Sequence, residues 1–176
     1  MNRSSAAARV ARFDTAVDRA VDRLRSPALD AIAYPLSSAA DHSVLWHGIG
    51  AVRALLPPGD IEGALRFSAA LGIESALTNG PVKLLFGRVR PVDFTQVEFR
   101  AGLRRPVTSS FPSGHATAAF CAATLLGGGW AWYSLAAAVA ATRVYVRLHH
   151  ASDVVAGAAL GLVLGAGLRP IVRWRP

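Results

Sequence analysis

Residues 111–153 read FPSGHATAAFCAATLLGGGWAWYSLAAAVAATRVYVRLHHASD, and their pattern decides the fold. An uncharged run from Ala116 to Thr142 is interrupted by Gly127-Gly128-Gly129, which predicts two apolar helices folded back on each other. Such a hairpin returns its far end to its start. Pro112-Ser113-Gly114-His115 then faces Arg143, His149 and Asp153 across a small gap.

Working outward, the apolar character extends to the whole chain. Hydrophobic residues make up 52% of 176 residues and charged residues 17%, with a mean hydropathy of +0.34. These values are more apolar and less charged than an ordinary soluble domain, and they point to a membrane. The length and the lack of internal repeats predict a single domain over residues 1–176. Cys121, the lone cysteine, sits in the apolar run and reads as a small buried hydrophobe. The Arg-rich N-terminus lacks the apolar core of a signal peptide and reads as part of the mature protein.

The net charge of +8 is compatible with nucleic acid, an anionic membrane or a phosphorylated substrate. A basic stripe interleaved with exposed aromatics, or a recognisable reading module, would mark a nucleic-acid binder. Neither is present, so no nucleic-acid partner is expected. Of the 19 basic residues only Lys83 is a lysine. It is therefore the one candidate for any role that needs an ammonium. From Phe99 onward Asp153 is the only acid.

Residues 1–26 form an N-terminal region in which Val10, Phe13, Val17, Val21 and Leu24 recur at helical steps, with Asp14, Asp18, Asp22 and several Arg on the other face. This predicts an amphipathic helix, lying in the membrane interface or packed on the bundle. A short bent helix follows over 28–41, with Pro35 inside it, then an apolar helix over 43–56 carrying His47 as a structural histidine. The next helix is expected to run through Phe67 to about Phe86, with Glu74 paired to an Arg and Lys83 facing a polar cavity. A long polar loop from Gly87 to Ser110 precedes the hairpin, and loops of that length are usually functional. The last helix, 152–168, is rich in Gly and Ala, which lets helices approach closely.

The fold class is thus all-α: a bundle of about five apolar, membrane-spanning helices plus the N-terminal amphipathic helix. Several are nearer about fifteen residues than the ~20 that cross a bilayer core, which keeps a soluble helical bundle as the alternative. Arg residues gather in the N-terminal arm and in the 87–110 loop, so the positive-inside rule favours a cytoplasmic site.

If the helix ends converge, they describe an oxyanion site. Lys83, Arg90 and Arg143 neutralise a dianion, and the helix start at Ser113 and Gly114 offers backbone N–H groups and a positive dipole end. Two histidines divide the labour, one attacking phosphorus and the other giving a proton to the leaving oxygen. His149 is the better nucleophile, because Asp153 lies one helical turn on and can hold its Nδ1 proton. His115 then serves as general acid. The acids are too few for a dinuclear metal centre.

These residues also resemble the type 2 phosphatidic acid phosphatase superfamily, which includes bacterial membrane lipid phosphatases and the vanadium haloperoxidases. Its signature matches in three parts: Lys83, six residues, Arg90-Pro91; then Pro112-Ser113-Gly114-His115; then Arg143, five residues, His149, three residues, Asp153. The motifs lie within residues 83–153, and Thr142 stands where the family usually has Ser. The resemblance implies a helical bundle, a phosphohistidine intermediate on His149, His115 as general acid, and no metal or other cofactor. The expected substrate is a lipid phosphomonoester or pyrophosphate, carried on diacylglycerol or a polyprenyl chain, with membrane lipids as the surroundings. The alternatives are a non-catalytic lipid-phosphate-binding membrane protein and a vanadate-dependent haloperoxidase-like enzyme.

Overall fold

A computed structural model describes residues 3–57, 59–91, 108–127 and 129–174. Among these residues the chain forms seven α-helices and no strand. They are α1 (Arg3–Leu24), α2 (Pro27–Ala39), α3 (Val44–Leu55), α4 (Ile61–Leu77), α5 (Gly114–Leu125), α6 (Trp130–Tyr145) and α7 (Ala151–Leu168). Most of the long polar loop, with Arg100, Arg104 and Arg105, lies outside the described residues.

α5 is buried on nearly every side, as expected of a helix without charge or polar face. It packs against α4, α6 and α7. Trp46 of α3, Phe67 and Leu71 of α4 and Val139 of α6 close the core around it. Each of these large side chains, fully withdrawn from water, contributes about 1.5–3 kcal/mol. The hairpin turn comes at Gly127, whose φ of +110° suits a residue without Cβ.

The α5–α7 contact is a backbone contact. A Cβ at Gly157 would press on the Ser113 carbonyl, and one at Gly161 would overlap the Thr117 carbonyl. The Gly-rich composition of the last helix therefore serves close approach. His47 bonds Ser68 Oγ at 3.0 Å, tying α3 to α4, and Cys121 is buried and free.

Two expectations need correction. The helix expected to continue to Phe86 ends as a regular helix at Leu77 and passes through a single π-turn, Thr78–Val82. Pro81 has no N–H to donate, and Gly80 leaves helical geometry at φ −90°, ψ −109°. Glu74 is buried, and among the described residues its hydrogen bond comes from Thr78 Oγ1 at 2.9 Å rather than from an Arg. Of the about five apolar helices expected to span, among the described residues α7 alone is, by length and composition, long and apolar enough to cross a membrane. α3 and α5 have 12 residues, α6 has 16 and α4 has 17.

α1 docks through its acids, of which Asp14 is buried and Asp22 exposed. Asp14 is 4% exposed, whereas Phe13 is 47% and Leu24 62% exposed. Asp18 and Asp22 each meet Arg147 at 2.5 Å. The helix read from apolar periodicity is present, and cations on loops distant in sequence supply partners for its carboxylates.

Close packing at Gly161 is testable. Gly161→Ala is expected to cost about 1–3 kcal/mol, because the clash is with backbone that cannot turn aside. Gly72→Ala, where an added Cβ meets nothing within 4 Å, is expected to be neutral or slightly stabilising. Thermal melts of the two variants check this.

Candidate active site

The helix break at Gly80-Pro81 frees Lys83 from α4, and an extended run then carries the chain to Arg90. α5 begins immediately after Ser113, and α6 ends at Tyr145, so that Arg143 and the following loop return to the same end. Lys83, Arg90, Gly114, His115, Arg143 and His149 line one cavity of about 530 Å³. Ser113 and Asp153 lie directly behind it, fully buried. The Ser113 N–H donates to the Asp153 carbonyl at 3.0 Å, which joins the starts of α5 and α7.

Ser113 was expected to bind the phosphate. Its hydroxyl caps α5, accepting the Ala116 N–H at 3.4 Å. The Thr142 hydroxyl also turns to its own helix, bonding the Val139 carbonyl at 2.6 Å.

His149 is held on both ring nitrogens. Arg90 Nη1 lies 3.1 Å from Nε2, and a guanidinium can only donate, so Nε2 accepts. Nδ1 therefore carries the proton and donates to the Ser110 carbonyl at 2.7 Å. The Asp153 carboxylate lies 3.7 Å from Nδ1, further than the hydrogen bond read from the one-turn spacing. Asp153 accepts from Ser110 Oγ, from the His150 N–H at 2.9 Å and from Arg88 Nη1 at 2.6 Å. Burial is the main reason the His149 imidazole is pushed down to about 3. Asp153 pulls the other way, while Arg90, Arg143 and Lys83 add to the depression. His149 is thus a neutral base with its lone pair on Nε2.

His115 bonds Asp41 Oδ1 through Nε2 at 2.8 Å. Asp41 opens a single 3₁₀ turn, Asp41–Ser43, in which His42 and Ser43 have φ of +50° and +60°. Left-handed backbone at two successive non-Gly residues costs energy, and it aims the carboxylate into the cavity. Burial alone would raise the Asp41 carboxyl, but the hydrogen bond and charge of His115, with Arg143, hold it below the ordinary carboxylate range.

The cations are fixed by neutral oxygens. Arg90 donates to the carbonyls of Leu148 at 2.7 Å, Thr108 at 3.2 Å and Ser109 at 3.3 Å. Arg143 bonds Ser37 Oγ, and Lys83 Nζ donates to Thr108 Oγ1 at 3.3 Å. Burial first, then Arg90 and Arg143, push the Lys83 ammonium down to about 8. Among the described residues no group of His, Cys, Asp and Glu is placed to hold a metal ion.

Sequence reasoning missed Asp41, Arg88, Ser110 and Asp14. Arg88 stands two residues before Arg90 and Ser110 three before Ser113, so both carried a signal of proximity to a motif. Asp41 and Asp14 carried none.

Residues 63–176 match the profile of the PAP2 superfamily. The chain belongs to that superfamily. A lipid A 1-phosphatase of Porphyromonas gingivalis is 38% identical over 115 residues, which cover 58% of this chain and 23% of that protein. The crystal structure of a transmembrane PAP2-type phosphatidylglycerolphosphate phosphatase from Bacillus subtilis is similar at a TM-score of 0.69 and 25% identity, covering 96% of this chain and 86% of that one. Aquifex aeolicus LpxE has the same fold, at a TM-score of 0.68 and 24% identity over 88% of this chain and 93% of that one. The PAP2 match begins at residue 63, so Asp14 and Asp41 precede it.

For this PAP2 protein the pH response follows from Lys83. The ammonium is present below about 8 and lost as pH rises through that value, so kcat/KM for a phosphorylated substrate is expected to fall above it. Lys83→Arg, whose charge persists, is expected to move that limb to higher pH. A pH–rate profile of both proteins checks the sign.

Proposed function

We propose that this chain hydrolyses a lipid phosphomonoester or pyrophosphate through a phosphohistidine on His149. The observation that carries the reading is the convergence of two buried cations, Lys83 and Arg143, the half-buried Arg90 and two histidines on one cavity of about 530 Å³. Lys83, Arg90, Arg143 and the N–H groups that open α5 bind the phosphoryl oxygens. Arg90 turns its Nη1 from His149 to a phosphoryl oxygen, which frees the Nε2 lone pair. Nε2 then forms the N–P bond as the bond from phosphorus to the leaving oxygen breaks. His115 gives that oxygen a proton, and the hydrogen bond between its Nε2 and the Asp41 carboxylate orients the ring for the transfer. Water next attacks phosphorus, His115 takes its proton, and inorganic phosphate leaves. The charge developing on the phosphoryl group is met by cations already in place, the role a metal ion plays in other phosphatases.

A lipid tail is supported by a second, apolar cavity of about 820 Å³ along α3, lined by Val44, Leu45, Gly48, Ile49, Val52 and Trp132 among others. Val44 follows Ser43, which lines the catalytic cavity, so the near end of the groove begins one residue along the chain from the head-group site. The groove is nearly as long as α3, about 18 Å at 1.5 Å per residue. α1 docks at the catalytic end with Arg9, Arg12, Arg19 and Arg23 exposed, which supports a multi-pass protein whose site faces the cytoplasm.

Assayed in detergent with excess EDTA, the wild-type protein is expected to release phosphate from a lipid phosphate. His149→Ala is expected to abolish release and the acid-labile phosphoenzyme, while His150→Ala stays within about threefold of wild type. Loss of wild-type turnover on chelation, or the two variants behaving in reverse, would sink this reading.

The groove has its own test. An added side chain at Gly48 meets open space, so Gly48→Leu fills the groove without disturbing the fold. It is expected to raise KM about threefold or more for a long-chain lipid phosphate and to leave a short soluble phosphomonoester unaffected. Equal effects on both substrates would remove the groove from the substrate path.

A further inference from the structure

α1 lies outside the stretch that matches the PAP2 profile, yet it delivers a buried carboxylate to the catalytic end. Asp14 Oδ1 accepts the Ser152 N–H at 2.8 Å, and its Oδ2 accepts the Ser152 hydroxyl at 2.9 Å and Arg88 Nη2 at 2.6 Å. The other arm of the same guanidinium, Nη1, bonds Asp153 Oδ1 at 2.6 Å and the Ser152 hydroxyl oxygen at 2.7 Å. One cation is therefore shared by two carboxylates, one of which stands 3.7 Å from His149 Nδ1.

The charge balance of this cluster bears directly on His149. When Nε2 bonds phosphorus the imidazole becomes cationic, and Asp153 must carry negative charge to support it. Arg88 paired with Asp153 alone would cancel that charge. With Asp14 taking the other arm, the trio keeps one net negative charge, and Arg88 is held where it cannot swing both arms onto Asp153.

Anchoring of the helix does not require Asp14, because Asp18 and Asp22 hold α1 through Arg147 and Arg25 donates to the Tyr145 carbonyl at 2.6 Å. We propose that Asp14 is a positioning residue for the reaction: from the N-terminal helix it divides Arg88 between two carboxylates and so preserves on Asp153 the charge that His149 needs. This rests on the reading of His149 as nucleophile.

The test uses the full-length protein in detergent, with kcat, KM, melting temperature and base-quenched phosphoenzyme measured on a lipid phosphate. Asp14→Asn keeps the shape and removes the charge. It is expected to lower kcat and the rate of phosphoenzyme formation about tenfold, with KM within about twofold. Asp22→Asn breaks a contact of the same helix that touches neither Asp153 nor the cavity, and it is expected to leave kcat unchanged. Asp14→Glu restores the charge and is expected to return kcat to within about threefold of wild type. In an Asp153→Asn background, followed by single turnover, Asp14→Asn is expected to add nothing.

The proposal is overturned by wild-type kcat in Asp14→Asn. An equal further loss in the Asp153→Asn background would overturn it too. So would a folded Asp14→Glu protein as slow as Asp153→Asn, a result that stands even if the Asn variant fails to fold. A wild-type protein that forms no phosphoenzyme would instead strike the His149 reading itself.

Discussion

The backbone contact between α5 and α7 is the constraint on which the site depends. Gly157 and Gly161 let the two helices approach until a single added methyl would meet a carbonyl oxygen. At that separation the Ser113 N–H reaches the Asp153 carbonyl, and the starts of both helices become one unit. The ends of the Pro-Ser-Gly-His and His-x-x-x-Asp segments are thus registered by main chain rather than by side chains, which are freer to shift. Rigid elements of this kind hold reacting groups within the tolerance that catalysis demands.

Around that unit the electrostatic arrangement follows from burial. Cations withdrawn from water lose hydration, and carbonyls and hydroxyls replace it: Leu148, Thr108 and Ser109 around Arg90, and Ser37 around Arg143. Neutral partners orient these groups without cancelling their charge, which remains directed at the cavity. The carboxylates are spent elsewhere, Asp41 on His115 and Asp153 on Ser110, Arg88 and the His150 N–H. The cavity is thereby faced by three cations while each histidine keeps an acid beside it.

The N-terminal helix shows how such a cluster recruits distant chain. Its acids lie on one side, at steps of four residues from Asp14 to Asp22, and that side turns towards the bundle because Arg88 and Arg147 offer partners there. Phe13 and Leu24 are left facing outward. Amphipathic periodicity alone would place these two side chains against the core, and the loop cations outweigh that preference.

Local spacing made much of this protein legible from its residues. The uncharged hairpin, the seven- and six-residue intervals from Lys83 to Arg90 and from Arg143 to His149, and the one-turn step from His149 to Asp153 are properties of short segments, and together they placed six cavity-lining groups correctly at one end of an all-helical chain. Asp41 and Asp14 were not legible, because each acts across a separation at which no periodicity survives. Asp41 meets His115 74 residues on, and Asp14 meets Ser152 138 residues on. The break at Gly80-Pro81 was written in residue types that end helices, yet how far the chain would turn there depended on what Lys83 had to reach. Sequence by itself determined which chemical groups are present and which neighbours share a helical face. Tertiary structure decided which carboxylate serves which cation, since desolvation and charge pairing are set by every segment that packs into one volume.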